Sequence, residues 1–365
     1  MKLKADCLYF KGDKPCRYKR LCEGCPHYQP FPAKVLLIKC RAQGDVLRTT
    51  ALLPGIKRKY PESHVTWLVD EESLELLRNN PFIDRILGYS LSDVMPLLAE
   101  KFDVLISLDK EPPSTSLATL VKSERRFGFG MNAYGNLIAF NEDAEYAYCL
   151  GVDDDLKFRK NTMTYQEIIF KTAEIEYQKD KYVFHLEEKY RDMAGQFFAE
   201  NAVDRSRKAV GLNTGSGAKF ETKQWPADRY LKLIDYLHEK MRANIFLLGG
   251  KRERDLNRFL EENARPKIFN TGNDNSLQEF AGLLSQMDVV VTSDTLGMHL
   301  ALAQGKRVVV LFGSTCPQEI ELYGQGTKIF AGKDCSPCYK QTCPEMTCME
   351  AITPEQVYAE IEKLV

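Results

Sequence analysis

Residues 288–313 read DVVVTSDTLGMHLALAQGKRVVVLFG and predict a tight βαβ unit. An apolar strand runs into the polar turn Thr292-Ser293-Asp294, and a short glycine-containing helix and a second apolar strand follow. Ligands of open α/β sheets bind at the carboxyl ends of the strands. A helix N-terminus at that edge offers amide groups and a positive dipole end to an anion. Ser293 or Asp294 can equally serve only as a helix cap, so this stretch leaves both roles open.

The flanking sequence repeats the alternation of strands and helices, which is typical of parallel sheets. We therefore expect an α/β protein with two Rossmann-like domains joined near 180–207 and a ligand in the cleft between them. One continuous helix is expected over 46–60, and the acidic stretch 141–165 is expected to be loop. The expected divisions are a cysteine-rich segment at 1–32, an N-terminal domain at 33–185, a C-terminal domain at 207–333 and a tail at 334–365.

Composition narrows the possible classes of protein. The chain has 365 residues, 44% hydrophobic and 28% charged, which is ordinary for globular domains. A net charge of −1 argues against a nucleic-acid-binding polycation. No apolar run is long enough to cross a bilayer, and the N-terminus carries no secretory apolar region. We expect a cytoplasmic protein, with peripheral contact at the inner membrane as a further possibility.

Eleven cysteines are many for a cytosolic chain, and eight of them form two terminal groups. Thiols in such spacing bind metal more often than they form disulfides in the cytosol. Four thiolates suit tetrahedral zinc or an iron–sulfur cluster. For the N-terminal group, a structural metal site and a reduced thiol cluster both stay open. That group consists of Cys7, Cys16, Cys22 and Cys25.

Residues after the first predicted strand can bind an acceptor molecule or take a proton from its hydroxyl group. Asp45 lies at the turn from strand to helix, where a carboxylate can take a proton from a hydroxyl nucleophile. Its alternative role is an N-cap for a helix beginning at Val46. Seven basic side chains between 34 and 59 suit an anionic molecule or a phosphorylated glycan, although a solvated helix face explains such a run equally well. The candidate acceptor-binding residues are Arg41, Arg48, Lys57 and Arg58.

The second half offers a candidate phosphate site. The loop N-T-G-S-G at 213–217 carries the hydroxyls, glycines and amides that cradle phosphate. Lys223 can neutralise a diphosphate leaving group, or it is a surface lysine. His299 is either a packed core histidine or a phosphate donor. Neither a G-x-G-x-x-G nor a P-loop motif occurs, which disfavours a nicotinamide enzyme or a P-loop ATPase.

Four segments, in order and spacing, resemble motifs of glycosyltransferase family 9, the lipopolysaccharide heptosyltransferases. The resemblance covers roughly 33–325, and the C-S-P-C-Y at 335–339 is similar to an extension found in many of these proteins. The four segments are K-x-x-x-x-G-D-V-L at 39–47, T-G-S-G at 214–217, K-x-W-P-x-x-R-Y at 223–230, and S-D-T-L-G-M-H-L-A-L-A-x-G at 293–305.

The resemblance implies a GT-B fold and an inverting transfer that needs no catalytic metal or other cofactor. ADP-heptose would lie on the C-terminal domain, and a lipopolysaccharide or lipid-linked glycan acceptor on the basic N-terminal domain. Asp45 matches the general base, Lys223 the lysine on the donor phosphates, and Asp294 the aspartate on the donor sugar. The expected donor-binding set is Gly44, Thr214, Gly215, Ser216, Lys223, Glu253, Ser293, Asp294, Thr295, Leu296, Gly297 and His299.

Two departures from the family pattern affect these expectations. Lys251 and Arg252 stand where some members place an acidic residue near the donor ribose, so Glu253 is the nearest candidate. The N-terminal cysteine segment is absent from the best-known heptosyltransferases. A GT-B transferase or epimerase that uses another nucleotide sugar, and a non-catalytic metal-binding member of the family, are the alternatives.

Overall fold

The computed structural model describes residues 3–217 and 220–365, and within them it forms two six-stranded sheets. The strands of the first are β1 (Lys34–Ile38), β2 (His64–Val69), β3 (Arg85–Gly88), β4 (Lys101–Ser107), β5 (Lys122–Met131) and β6 (Leu137–Ala139). Those of the second are β7 (Ala209–Asn213), β8 (Asn244–Leu248), β9 (Phe269–Asn270), β10 (Val289–Ser293), β11 (Arg307–Phe312) and β12 (Gly326–Phe330).

The strand orders are those of two open, wound sheets. They run β3-β2-β1-β4-β5-β6 and β12-β11-β10-β7-β8-β9, and every pairing is parallel except β5 with β6. Strand β10 is buried along its whole length, and β11 from its second residue, as expected for strands covered on both faces. The predicted α/β architecture is therefore confirmed.

Helices cover these sheets. Those in the first half are α1 (Gln43–Thr49), α2 (Leu52–Lys59), α3 (Leu74–Leu77), α4 (Leu91–Ala99), α5 (Pro112–Leu120), α6 (Glu142–Cys149) and α7 (Tyr165–Thr172). Those that follow are α8 (Glu188–Glu200), α9 (Ala227–Tyr236), α10 (Arg254–Asn263), α11 (Leu277–Ser285), α12 (Leu296–Ala303), α13 (Thr347–Glu350) and α14 (Pro354–Leu364). None of the helices in the described part of the chain is long and apolar enough to cross a bilayer.

The single helix expected over 46–60 is wrong, because two helices occupy this stretch. Helix α1 ends at Thr49 and α2 begins at Leu52. Pro54 has no N–H to donate to the carbonyl of Thr50, so the α-helical ladder is interrupted there. The amide of Leu53 instead bonds that carbonyl at 3.1 Å, three residues back.

The loop expected over 141–165 is also wrong, since it contains α6 and a π-helical turn at Leu156–Lys160. Acidic side chains are typical of a solvated loop, but they are also favoured in the first turn of a helix, where they face the positive end of the dipole. Glu142, Asp143 and Glu145 occupy that turn in α6.

Two glycines in the left-handed region allow a test of packing against backbone strain. Gly128 has φ 88°, and a Cβ there would lie 1.9 Å from the carbonyl oxygen of Ser107. Gly135 has φ 82°, but a Cβ there meets nothing within 4 Å. We expect Gly135→Ala to lower the free energy of unfolding by about 1–2 kcal/mol from strain. Gly128→Ala should lower it by about 3 kcal/mol or more, since β4 and β5 must separate. Urea denaturation measures both, and equal losses would contradict the packing argument.

Candidate functional site

Asp45 lies in the first turn of α1, shortly after β1 ends. Its carboxylate is 2.9 Å from Arg48 Nη2 and 3.6 Å from Lys39 Nζ, and a third of the side chain stays exposed. Burial alone would raise the pKa of Asp45, but the positive charges of Arg48 and Lys39 outweigh it and hold the pKa below its ordinary value. Helix α1 begins at Gln43, so Asp45 is not its N-cap. Asp45 is thus an accessible, ionised carboxylate.

Asp109 anchors this arrangement, although it was not among the residues predicted from the sequence. It lies two residues after the end of β4, and its side chain is fully buried. One carboxylate oxygen accepts from Lys39 Nζ at 2.6 Å, and the other accepts from the backbone amide of Cys40. A polar residue just past the end of a buried strand is the same signal that pointed to Asp294, so this sequence pattern could have identified Asp109.

Arg48 is held from its other side by an aromatic ring. Its guanidinium carbon lies 3.6 Å from the ring centroid of Tyr165, within the range of a cation–π interaction. The Tyr165 hydroxyl is in turn 2.8 Å from Thr49 Oγ1. Helix α7 therefore fixes the cation that pairs with Asp45.

In the second half, Lys223 and Asp294 form the matching pair. Lys223 Nζ donates to the backbone carbonyl of Asp294 at 2.8 Å and lies 3.5 Å from its carboxylate. The Lys223 side chain is only 14% exposed, so it is not a surface lysine. Burial tends to raise the pKa of Asp294, but nearby positive charge, above all that of Lys223, holds it below its ordinary value. The pair lies where β10 ends and α12 begins.

The turn before α12 is organised by Asn213 at the end of β7. Its Nδ2 donates to the hydroxyls of Thr292 and Thr295, at 2.9 and 3.0 Å. Thr295 is the N-cap residue and makes no side-chain cap bond, so neither Ser293 nor Asp294 acts as the cap. A Cβ on Gly297 would lie 2.5 Å from Asn213 Nδ2, which requires glycine here. Thr295, Leu296 and Gly297 thus lie at the start of α12, as predicted.

The glycine loop after β7 meets two of the other expected donor residues. Ser293 Oγ donates to the carbonyl of Gly215 at 3.1 Å. The Glu253 carboxylate is close to Gly215, and it accepts from the amide of Gly250 at 2.9 Å. The hydroxyl of Thr214 points inward and donates to Asn257 Oδ1 at 2.6 Å. Ser216 is half-buried on the same loop.

His299 connects the two halves of the site. It is 3% exposed, and a Cβ on Gly44 would lie 3.0 Å from its ring. Its Nδ1 is 3.2 Å from the Tyr182 hydroxyl, and its Nε2 is 4.0 Å from the Asp294 carboxylate. Burial, helped by the positive charge of Arg48, lowers the pKa of His299 to about 4, so the ring is neutral at neutral pH. Helix α12 thereby brings Asp294 towards α1 and Asp45.

Not all the predicted acceptor-binding cations reach this cleft. Arg48 does, and Arg41 lies at the end of β1, 3.4 Å from Asp70. Lys57 and Arg58 sit at the last turn of α2, where they pair with Asp84 and Asp180. The chain direction of α2 carries them away from the carboxyl edge of the sheet, so the structure does not group them with Asp45.

The predicted N-terminal metal site is not assembled. The four cysteines border one cavity of about 290 Å³. Within 3–217 and 220–365, however, no three Cys, His, Asp or Glu side chains are close enough to hold a metal ion. The segment is held instead by hydrogen-bonded turns that begin at Cys7, Cys16 and Cys22, and by the stacked rings of Tyr18 and His27. As placed, the thiols do not fit zinc or an iron–sulfur cluster.

Comparison with known proteins agrees with this geometry. Residues 94–349 match the family model described as glycosyltransferase family 9 (heptosyltransferase). The chain belongs to glycosyltransferase family 9. It is therefore a glycosyltransferase, and the resemblance to this family is confirmed.

Relatives of this family 9 chain span most of its length. Lipopolysaccharide heptosyltransferase 1 of Campylobacter coli is 22% identical over 306 residues, which cover 77% of this chain and 84% of the relative. A family 9 glycosyltransferase structure from Veillonella parvula superposes with a TM-score of 0.72 at 18% identity, over 92% of this chain and 98% of that one. E. coli ADP-heptose lps heptosyltransferase II gives 0.66 at 17% identity, over 91% and 98%. These structures confirm the GT-B fold.

The buried Lys39–Asp109 pair gives a stability prediction. Asp109→Ala leaves the Lys39 ammonium buried with a single partner at 3.6 Å, so we expect a loss of about 3–5 kcal/mol in the free energy of unfolding. Asp84→Ala is the matched control, because Asp84 also accepts from a lysine and a backbone amide but is 42% exposed. Its loss should be about 1 kcal/mol. Urea denaturation compares them, and equal losses would show that burial does not set the cost.

Proposed function

We propose that this enzyme transfers a heptose from ADP-heptose to the core of a lipopolysaccharide or a related surface glycan, with inversion at the anomeric carbon. One observation carries the proposal. The accessible Asp45 carboxylate of the first half and the Lys223–Asp294 pair of the second converge on His299 from the two sides of one cleft. Such convergence provides a base for an acceptor and a cation for a diphosphate in one site.

The donor side suits a sugar diphosphate. Lys223 and the amides of Thr295, Leu296 and Gly297 at the start of α12 would hold the phosphates, because an ammonium and a helix N-terminus both stabilise negative charge. Asp294 would accept hydrogen bonds from the sugar hydroxyls. Glu253, beside Gly215, is the candidate for the ribose. The ADP-heptose transferase from E. coli supports this choice of donor by its fold.

The transfer itself is a single displacement. The acceptor hydroxyl oxygen attacks the anomeric carbon as its proton passes to the Asp45 carboxylate, and the bond from that carbon to the diphosphate oxygen breaks. The electron pair leaves with ADP, where Lys223 stabilises the growing negative charge. A single displacement inverts the configuration at the anomeric carbon.

The decisive test is transfer in a purified system. Incubation with ADP-heptose and a heptose-free lipopolysaccharide core acceptor should release ADP and add one heptose, with the product linkage read by NMR. Binding calorimetry with ADP-, UDP- and GDP-sugars separates this proposal from a transferase or epimerase with another donor. Absence of transfer with every nucleotide sugar tested would contradict the proposal.

Asp45→Asn tests the base. Removing a general base costs about 10²- to 10⁴-fold in rate, so kcat should fall by that range while the affinity for ADP-heptose stays near that of the wild type. Asp70→Asn is the control, because Asp70 also follows a strand of the same sheet but pairs with Arg41. A wild-type kcat in Asp45→Asn would remove Asp45 from the mechanism.

The charge environment of Asp45 predicts a pH dependence. The base acts when ionised, so kcat/KM falls as the pH drops through the Asp45 pKa, which Arg48 and Lys39 hold below its ordinary value. Arg48→Gln removes one of these cations and raises that pKa, so the acid limb of kcat/KM should move to higher pH. Arg85→Gln, whose arginine pairs with Glu100, should leave the limb in place. An unmoved limb in Arg48→Gln would mean that another group titrates.

A further inference from the structure

A cavity of about 380 Å³ opens beside Asp45 and Arg48, on the side of the first sheet. Its apolar floor comes from the first half, mainly Leu108, Phe129 and Ile168. Two of its lining residues come from far along the chain, since Glu319 follows β11 and Tyr339 lies in the cysteine-containing tail. The cavity is therefore closed by both halves. No motif of the sequence pointed to Glu319, whereas Tyr339 ends the C-S-P-C-Y segment at 335–339.

Glu319 is a carboxylate with unused hydrogen-bonding capacity. Among the described residues, no lysine, arginine or histidine nitrogen lies within 4.0 Å of it, and its side chain accepts one hydrogen bond, from Tyr339 Oη at 3.3 Å. A carboxylate offers about four lone-pair positions. Burial raises the pKa of Glu319, against the positive charges of Arg48 and Lys157. A partly desolvated carboxylate of this kind is stabilised by donors that a ligand brings.

Tyr339 is held firmly at the same wall. The amides of Cys338 and Tyr339 both donate to the carbonyl of Ser314, at 3.0 and 2.9 Å. Lys157 Nζ lies 3.8 Å from the centroid of the tyrosine ring, and Phe158 stacks on it at 5.6 Å. The hydroxyl is consequently fixed next to Glu319 and at the border of the cavity.

The tail that carries Tyr339 is docked on the first half. Arg159 Nη2 donates to the carbonyl of Asp334 at 2.9 Å, and Gln318 Nε2 donates to the carbonyl of Lys157 at 3.2 Å. The first contact fixes the π-helical turn at Leu156–Lys160 against the tail, and the second fixes it against the 3-10 turn at Pro317–Glu319. Glu319 and Tyr339 thus have a defined position relative to Asp45, although they belong to the other half of the protein.

We propose that Glu319 and Tyr339 are positioning residues that bind hydroxyl groups of the acceptor sugar and turn its attacking hydroxyl towards Asp45. This inference rests on the proposed transferase function and assigns it an acceptor subsite shared by the two halves. The ligand class is a polyhydroxylated sugar ring. Its apolar face would pack on the floor of the cavity, and its hydroxyl groups would donate hydrogen bonds to Glu319. Hydrogen bonds to an ionised carboxylate are the strong ones in such a site.

Steady-state kinetics with ADP-heptose and the heptose-free core acceptor test the inference. Glu319→Gln loses hydrogen bonds to a charged group, so the KM for the acceptor should rise about 10- to 100-fold. Tyr339→Phe keeps the ring and loses one neutral hydrogen bond, so the rise should be about 3- to 10-fold. The KM for ADP-heptose should stay within about two-fold in both variants, because among the described residues neither side chain forms a hydrogen bond or an ion pair with Lys223 or Asp294. Glu319→Asp should recover part of the loss.

Gln318→Ala is the matched control. It removes a contact between the halves at the neighbouring position, but Gln318 does not border the cavity, so the acceptor KM should match that of the wild type. Thermal melting and ADP binding establish that each variant is folded. If Glu319→Gln does not fold, the acceptor KM of Tyr339→Phe tests the inference alone, since phenylalanine keeps the packing of the aromatic ring.

The outcomes separate the two proposals. Wild-type transfer with an unchanged acceptor KM in Glu319→Gln and Tyr339→Phe would overturn this inference and leave the transferase function standing. An equal rise in Gln318→Ala would also overturn it, because the effect would then come from domain docking. Failure of the wild type to transfer from any nucleotide sugar would overturn the proposed function, and this inference with it.

Discussion

The buried ammonium of Lys39 is the constraint on which the site in the first half depends. Lys39 is 6% exposed, and a buried charge costs several kcal/mol unless it is paired. Asp109 supplies that pair at 2.6 Å, and Asp45 is the second partner. The carbonyl of Lys39 also accepts from Trp67 Nε1 at 3.0 Å, which ties the end of β1 to β2. The position of Asp45 therefore follows from the need to neutralise a cation at the sheet edge.

At the edge of the second sheet, too, a lysine is neutralised by an aspartate. Lys223 pairs with Asp294 where β10 ends, in the way that Lys39 pairs with Asp109 where β4 ends. The neutral ring of His299 is buried between the two edges and brings no charge of its own. Each carboxylate stays ionised because it has its own cations, Arg48 and Lys39 for Asp45 and Lys223 for Asp294, and a neighbouring cation lowers the pKa of a carboxyl group.

The alternation of strands and helices was predictable because buried parallel strands are short apolar runs with polar residues at their carboxyl ends. That pattern drew attention to Asp45 and to the turn before α12, whose roles in catalysis and binding stay predictions. The count of basic residues between 34 and 59 grouped Lys57 and Arg58 with Arg48. A count of charges does not show to which side of the sheet a helix carries each residue. The break before Pro54 was missed since the apolar spacing continues through it. The thiols at 7–25 have metal-like spacing, yet spacing does not determine how closely the sulfur atoms approach.

The sequence by itself determined the two wound sheets, the family and the turn at Ser293-Asp294, since these depend on short-range patterns that the chain carries locally. Only the tertiary structure decided that Asp109 holds Lys39, that His299 meets Gly44, and that Glu319 and Tyr339 border the cavity beside Asp45. The physical reason is that these contacts join residues 70 or more positions apart, and such contacts depend on how the sheets and the two halves dock.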